Sequence, residues 1–110
     1  MTSTSDSLDD LRMRLRRFAA ERDWEQFHAP KNLAISVAIE AAEIMEHFQW
    51  LTAAQSLKLD DATRNEVAHE IADVLLYLVR LADVLEIDMV AAAREKIGLN
   101  ARKYPVRRGL

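Results

Sequence analysis

Residues 35–46, ISVAIEAAEIME, decide how this chain folds. Within them Glu40 and Glu43 lie three positions apart, and apolar residues recur every three to four positions around them, which is the spacing of one face of a helix. Residues 70–76, EIADVLL, repeat the arrangement with Glu70 and Asp73, after the 26 intervening residues 44–69. The sequence therefore predicts two similar helices, each with a pair of carboxylates beside an apolar stripe.

Both predicted helices are apolar on more than one face. The stripe of the first consists of Leu33, Val37, Ala41, Ile44, Phe48 and Leu51. The stripe of the second consists of Val67, Ile71, Val74, Leu78, Leu81 and Leu85. Since Ile35, Ile39 and Met45 extend the apolar surface of the first helix, it must be buried nearly all round. We expect these central helices to pack against another copy of the chain, with a dimer as the minimal assembly.

The composition favours one all-α domain. The chain has 110 residues with only two glycines and two prolines, so turns are few and helix formers are many. We predict a four-helix bundle, with helices over residues 7–21, 32–51, 61–85 and 89–102. Asn32, Asp60 or Asp61, and Asp88 are the expected caps of the last three helices. Pro30 is expected to keep the connector 22–31 free of regular helix, and residues 52–61 to break the pattern with room for a short helix. The tails 1–6 and 106–110 are expected to be loose.

Several partners are disfavoured by composition. The chain has no cysteine, which suits a reducing cytoplasm. Its first ten residues, MTSTSDSLDD, lack the basic start and apolar centre of a signal peptide. No apolar run approaches the ~20 residues of a transmembrane helix. The net charge of −3 argues against a nucleic-acid partner. We therefore expect a cytoplasmic protein that binds neither membrane nor nucleic acid.

The four carboxylates have a chemical and a structural interpretation. If the helices pack side by side, four acidic side chains converge, and they cannot all stay ionised without a cation or a proton. Oxygen ligands without cysteine favour Mg²⁺ or Mn²⁺, and His47 is expected to lie beside such a site without being a ligand. The alternative is a solvated acidic face, which is common for pairs three residues apart.

Basic and aromatic residues extend the pattern. Lys96, Asn100 and Lys103 share one face of the last helix and can hold a polyphosphate, although a polar outer face near a helix C-terminus is the simpler alternative. Trp50 and Tyr77 fall on the carboxylate faces, and an aromatic ring beside phosphate-binding groups suits a nucleobase. Core packing is the alternative for these rings.

Five segments in order resemble the MazG-like all-α nucleotide pyrophosphohydrolases, and within them the dCTP pyrophosphatase-type branch. They are the carboxylate motif EAAE–26 residues–EIAD, RDWEQFHAPKNL (22–33), EHFQW (46–50), DVLLYLVRLAD (73–83) and KIGLNARKYP (96–105). The resemblance covers residues 8–105. It implies one MazG-like domain over residues 1–110 that hydrolyses the α–β phosphoanhydride of dCTP or a modified dCTP to the monophosphate and pyrophosphate, in house-cleaning of the nucleotide pool.

The resemblance also implies roles for individual residues. Glu40, Glu43, Glu70 and Asp73 look like Mg²⁺ ligands, with Glu43 and Asp73 as the catalytic pair. The expected substrate-binding residues are Trp24, His28, Trp50, Tyr77, Lys96, Asn100 and Lys103. The family further implies a homotetramer, a dimer of dimers, with sites built between chains.

The residue at position 15 differs from the one found in the branch, so other functions are considered as alternatives. Vertebrate members carry a histidine where this chain has Leu15, which cannot donate a hydrogen bond to a cytosine. A dUTP-type or broad-specificity nucleotide pyrophosphatase is therefore an alternative. A non-catalytic helical interaction protein, which would use the wide apolar faces and need no Mg²⁺, is the alternative from another class.

Overall fold

The structure, a computed structural model, describes residues 7–107, and within that range its regular elements are all helices, with no strand. The helices are α1 (Leu8–Glu21), α2 (Pro30–Glu46), α3 (Ala53–Ser56), α4 (Asp61–Val84) and α5 (Met89–Lys103), with a 3₁₀ turn over Glu25–Phe27. The expected all-α class is confirmed. The expectations for residues 1–6 and 108–110 lie outside the described residues.

Side-chain caps begin most of these helices where the sequence predicts. Ser7 Oγ accepts from the backbone N–H of Asp10 at 3.0 Å. Asp60 and Asp88 cap α4 and α5 in the same way, at 2.7 and 3.0 Å. The short α3 begins with a capping box in which Thr52 and Gln55 satisfy each other's backbone N–H. Local hydrogen bonds therefore set these helix boundaries.

The bounds of α2 differ from the prediction at both ends. The helix begins at Pro30, inside the segment expected to be non-helical, because proline at the first helical position lacks only a donor that would be unpaired anyway. Asn32 is not the cap; its side-chain amide donates to the carbonyl of Phe27 at 3.2 Å. The helix ends at Glu46 instead of Leu51.

The core is formed where α4 packs against α2 on one side and α1 on another. Its buried apolar residues are Ala19, Leu33, Val67, Val79 and Ala82. In α4 the predicted stripe is only partly correct, since Ile71 and Leu78 are exposed while Val79 and Ala82 are buried. The reason is that α1 packs against the second half of α4 and selects which face that half buries.

One chain leaves much apolar surface uncovered. Ile39 on α2 is 55% exposed, Ile71 on α4 is 53% exposed, and every residue of α5 after Met89 is exposed. The radius of gyration is 17.5 Å, against about 13 Å for a compact domain of this size. These faces suit the second copy that the sequence predicts, and the assembly itself stays a prediction. No helix in the described part of the chain is both long and apolar enough to cross a bilayer.

A buried carboxylate joins α1 to α4. The side chain of Asp83 is 6% exposed and accepts from Arg16 at 2.6 and 3.1 Å and from Arg12 at 3.3 Å. Arg80, also on α4, donates to it at 3.3 Å. The hydrogen bonds from Arg16, followed by the one from Arg12, hold the pKa of Asp83 below its usual range despite its burial. The charged form of Asp83 therefore stabilises the packing of these two helices.

We expect Asp83→Asn to lower the free energy of unfolding by about 3–5 kcal/mol, because three arginines lose a buried counter-charge. Urea unfolding measures this. The stabilisation by Asp83 is present above the unfolded pKa of aspartate, about 3.9, and is lost as the pH falls through its lower folded pKa, so the difference between the variants should shrink in acid. Asp9→Asn is the matched control: it removes an exposed ion pair with Arg12 and should cost less than about 1 kcal/mol. Equal losses in the two variants would contradict a special role for Asp83.

Candidate active site

The packing of α2 on α4 brings the two carboxylate pairs together. Glu40 and Glu43 come from α2, and Glu70 and Asp73 come from α4. A hydrogen bond with Glu43 raises the pKa of Glu40 above its ordinary value, and burial and the negative charges of Glu43, Asp73 and Glu70 act in the same direction. The other three carboxylates thus interact with Glu40, and a proton or a cation is needed to relieve their repulsion.

Two carboxylate oxygens in this cluster are buried without a hydrogen-bond donor. They are Oε2 of Glu40 and Oε2 of Glu70. His47 Nε2 lies 2.7 Å from the latter but not in hydrogen-bond geometry, and its Nδ1 lies 4.0 Å from Glu66. A buried oxygen that lacks a donor is costly, and an all-oxygen set with unsatisfied lone pairs fits a hard divalent cation.

The side chains do not enclose a metal as they stand. In residues 7–107, no three acidic or histidine side chains are arranged closely enough to hold an ion. The oxygen ligands therefore suit a cation, but the side chains would have to move closer together to bind one.

An aromatic pocket of about 240 Å³ adjoins the carboxylates. Its walls come from α1, the connector and α4: Leu15, Phe18, Ala19, Trp24, His28, Asp73, Leu76, Tyr77 and Arg80. Asp73 belongs to both the pocket and the carboxylate cluster. The volume is below the ~300–1,000 Å³ of pockets for drug-sized ligands, so it suits one ring system of a larger molecule.

The connector supplies the aromatic wall. The ring of Trp24 lies edge-on to Phe18 with 5.4 Å between centroids, and edge-on to His28 at 6.5 Å. Such packing fixes the indole while leaving it 45% exposed, so it can still contact a ligand. Leu15, the position that departs from the branch, lines the same pocket and contributes no polar atom to it.

Arg80 is a polar group of this pocket to which the sequence prediction assigned no role. It is only 8% exposed, and its Nε donates to Nδ1 of His28 at 3.0 Å. Burial lowers the pKa of His28, and the charge of Arg80 lowers it further, while Glu25 acts in the opposite direction. The sequence contained one indication of a role for Arg80, which is its spacing. Arg80 follows Tyr77 by three residues on the carboxylate face and precedes Asp83 by three.

Other predicted site residues lie away from the pocket within one chain. Trp50 follows α2 in a turn and is 87% exposed. Lys96, Asn100 and Lys103 are exposed on α5, and Lys103 Nζ lies 5.4 Å from the ring centroid of Tyr104. Trp50 was expected on the same helical face as Glu43. That expectation is wrong because α2 ends at Glu46.

A larger cavity of about 630 Å³ lies at the junction of α1, α4 and α5. Its charged lining includes Arg12, Arg16 and Asp83, which already pair with one another. Among the described residues, no buried side-chain oxygen or nitrogen without a hydrogen bond belongs to this lining, in contrast to the carboxylate cluster.

Comparison with known proteins assigns the family. A sequence model described as the MazG-like family matches residues 35–110, and the chain belongs to that family. It is similar to dCTP pyrophosphatase 1 of Homo sapiens, 41% identical over 105 residues, and of Rattus norvegicus, 40% identical over 106 residues. Each alignment covers 94% of this chain and 62% of the relative, so the chain spans about three-fifths of the length of these curated relatives.

A solved structure supports the fold independently. The chain is similar to a pyrophosphatase from Archaeoglobus fulgidus with a TM-score of 0.86 and 40% sequence identity. The match covers 96% of this chain and 99% of that one. The helical architecture of the described residues is therefore shared with nearly the whole of that solved chain. Together with the match to the family model, this confirms the resemblance seen in the sequence motifs.

The carboxylate cluster should lower stability in the absence of a cation. We expect Glu40→Gln to raise the melting temperature of metal-free protein by a few degrees, because it removes a charge facing three others. Adding Mg²⁺ should raise the melting temperature of the wild type and have little effect on this variant. Glu46→Gln, at an exposed position on the same helix, is the control. Calorimetry that shows both variants behaving alike would contradict a strained acidic site.

Proposed function

We propose that this chain is a Mg²⁺-dependent nucleoside triphosphate pyrophosphohydrolase that cleaves the α–β phosphoanhydride of dCTP or a modified dCTP. The observation that carries the proposal is a cluster of four carboxylates sharing Asp73 with an aromatic pocket. A nucleotide needs both: a cation-binding group for its phosphates and a surface for its base. The similarity to dCTP pyrophosphatase 1 supports the same reaction and substrate.

The residues that would hold Mg²⁺, or Mn²⁺, are Glu40, Glu43, Glu70 and Asp73. When bound, the ion supplies positive charge for phosphate oxygens and a more acidic water molecule. The carboxylates themselves would orient the attacking water and accept its proton. We assign Glu43 as the group that accepts the proton of the attacking water, with Asp73 positioned between the phosphates and the base.

The chemical step needs in-line geometry more than covalent participation by the protein. Water attacks the α-phosphorus, the bond to the bridging oxygen breaks, and pyrophosphate leaves. Trp24 and Tyr77 would hold the base in the pocket, and His28 would contact its polar edge. Lys96, Asn100 and Lys103 would bind the departing phosphates, whose added charge they offset.

An assembly of several copies completes this site in our proposal. Trp50 and the polar face of α5 are exposed and lie outside the pocket of their own chain, while the apolar faces of α2 and α4 are uncovered. A tetramer in which one copy contributes these residues to another accounts for both facts. The remaining expectations, a single domain over residues 1–110 and a cytoplasmic location, belong to the same proposal.

A broader substrate range is the second candidate. Leu15 lies in the pocket wall and provides no hydrogen bond to a base. A pocket that selects chiefly by stacking accepts any ring that fits. A dUTP-type or broad-specificity pyrophosphatase would then use the same carboxylates and release the same pyrophosphate.

Pyrophosphate release from a panel of nucleoside triphosphates with Mg²⁺ tests the reaction and the base together. We expect turnover highest with dCTP or a modified dCTP, and its loss in Glu43→Ala and in Asp73→Ala with the helical content unchanged. Glu46→Ala, on the same helix as Glu43, should retain activity. Near-normal turnover in either site variant would overturn the assignment of the carboxylates, and no turnover by the wild type would favour a non-catalytic interaction protein.

A second prediction concerns sharing of the site between copies. Trp50→Ala should raise KM about tenfold or more, because stacking on an aromatic ring stabilises a bound base by about 1–3 kcal/mol. Co-expression of Trp50→Ala with Asp73→Ala, assayed at low substrate, should restore activity, since a mixed assembly then contains sites with both residues intact. No recovery in mixed assemblies isolated with two affinity tags would place both residues in one chain's site.

A further inference from the structure

The contact between Arg80 and His28 determines where the proton of the imidazole lies. Arg80 Nε is 3.0 Å from Nδ1 of His28. A guanidinium keeps all its protons in a protein and has no acceptor, so its Nε can only donate. The facing nitrogen of His28 must then be unprotonated. A neutral imidazole carries one proton, which this contact assigns to Nε2.

The orientation of Arg80 is itself held from two sides. Its side chain is buried and its Nη1 donates to Asp83 at 3.3 Å. Asp83 is in turn anchored by Arg16 and Arg12 from α1. The chain of contacts therefore runs from α1 through α4 to the connector. Rotation of Arg80 away from His28 would cost its contact with a buried carboxylate, so the donor is held in place.

The second nitrogen of His28 is left for a ligand. Among the described residues, nothing forms a hydrogen bond with its Nε2, and His28 lines the aromatic pocket together with Trp24 and Tyr77. Much of the remaining wall is apolar: Leu15, Phe18, Ala19 and Leu76. A single oriented polar group in such a wall is the usual means by which a pocket selects one edge of a ring.

We propose that Arg80 is a positioning residue that holds His28 as the Nε2–H tautomer, so that His28 presents a hydrogen-bond donor to an acceptor atom of the nucleobase. The contact between His28 and a nucleobase rests on the proposed function, whereas the assignment of the tautomer does not. The acceptor is a carbonyl oxygen or an unprotonated ring nitrogen, such as cytosine provides. A base that placed an N–H at this point would meet another N–H and leave both unpaired.

The lowered pKa of His28 agrees with this arrangement. Burial and the neighbouring guanidinium both disfavour the imidazolium. The ring is then neutral, with an acceptor already occupied by Arg80 and a donor still available.

The tautomer is measured directly by long-range nitrogen–proton NMR of protein labelled with ¹⁵N-histidine, without nucleotide. At about pH 8, above the ordinary imidazole pKa of about 6.5, the wild type should show His28 protonated at Nε2 alone. The spectrum of His28→Gln assigns the signal. Arg80→Lys keeps a positive charge for Asp83 but removes the Nε–H, so His28 should become a mixture of tautomers. Arg64→Lys, at an exposed position on the same helix, should leave the signal unchanged.

Kinetics with the preferred nucleotide provide the second readout. Arg80→Lys should raise KM about three- to tenfold, the effect of one hydrogen bond, with a smaller change in kcat, because the donor contributes to binding. Arg64→Lys should match the wild type. Unchanged KM together with an altered tautomer would overturn the contact with the base.

Each remaining outcome decides one half of the proposal. A wild-type His28 protonated at Nδ1, or a tautomer that survives Arg80→Lys, would overturn the positioning role whatever the activity. If Arg80→Lys does not fold, the wild-type spectrum still decides the tautomer. If no nucleotide is hydrolysed, the proposed function and the contact with a base fail together, while the spectrum separately supports or overturns the role of Arg80.

Discussion

The packing of α2 against α4 is the constraint on which the other features depend. It buries Leu33 and Val67, and it also brings two pairs of carboxylates close enough to repel each other. Burial of apolar side chains at this interface stabilises the fold. The repulsion between the carboxylates at the same interface destabilises it. A buried oxygen of Glu40 and one of Glu70 form no hydrogen bond in this cluster, although His47 Nε2 lies 2.7 Å from the Glu70 oxygen. The acidic cluster, which is the proposed cation site, forms because the helices pack in this way.

A second ionic cluster has the opposite balance. Three arginines surround the carboxylate of Asp83, each forms an ion pair with it, and the charged state of Asp83 is favoured. This cluster holds α1 against α4 and thereby closes one wall of the aromatic pocket. Through Arg80 it also contacts His28, so a cluster that stabilises the fold is hydrogen-bonded to a side chain that lines the aromatic pocket. The hydrogen bonds of Asp83 and Arg80 therefore connect the packing of α1 on α4 with the orientation of His28 in the pocket.

Local signals made parts of this protein predictable. The caps Asp60 and Asp88 and the limits of α1 and α5 follow from short-range hydrogen bonds, which depend only on residues three or four positions apart. The carboxylate spacing predicted two acidic pairs beside a core. The ends of α2 were not predictable in this way: Pro30 is compatible with both a connector and a first helical turn, and apolar Phe48 and Leu51 continue a stripe that the backbone leaves at Glu46.

The sequence by itself determined the helical class and the family, because helical periodicity and motif spacing are properties of the linear chain. The same spacing selected the four acidic residues of the proposed site. Only the tertiary structure decided which residues meet across helices. It placed Leu15 in the pocket, separated Trp50 and the α5 face from it within one chain, and joined Arg80 to His28, 52 positions apart. Periodicity specifies the direction of a side chain around its own helix axis, whereas contacts between helices depend on how those helices pack.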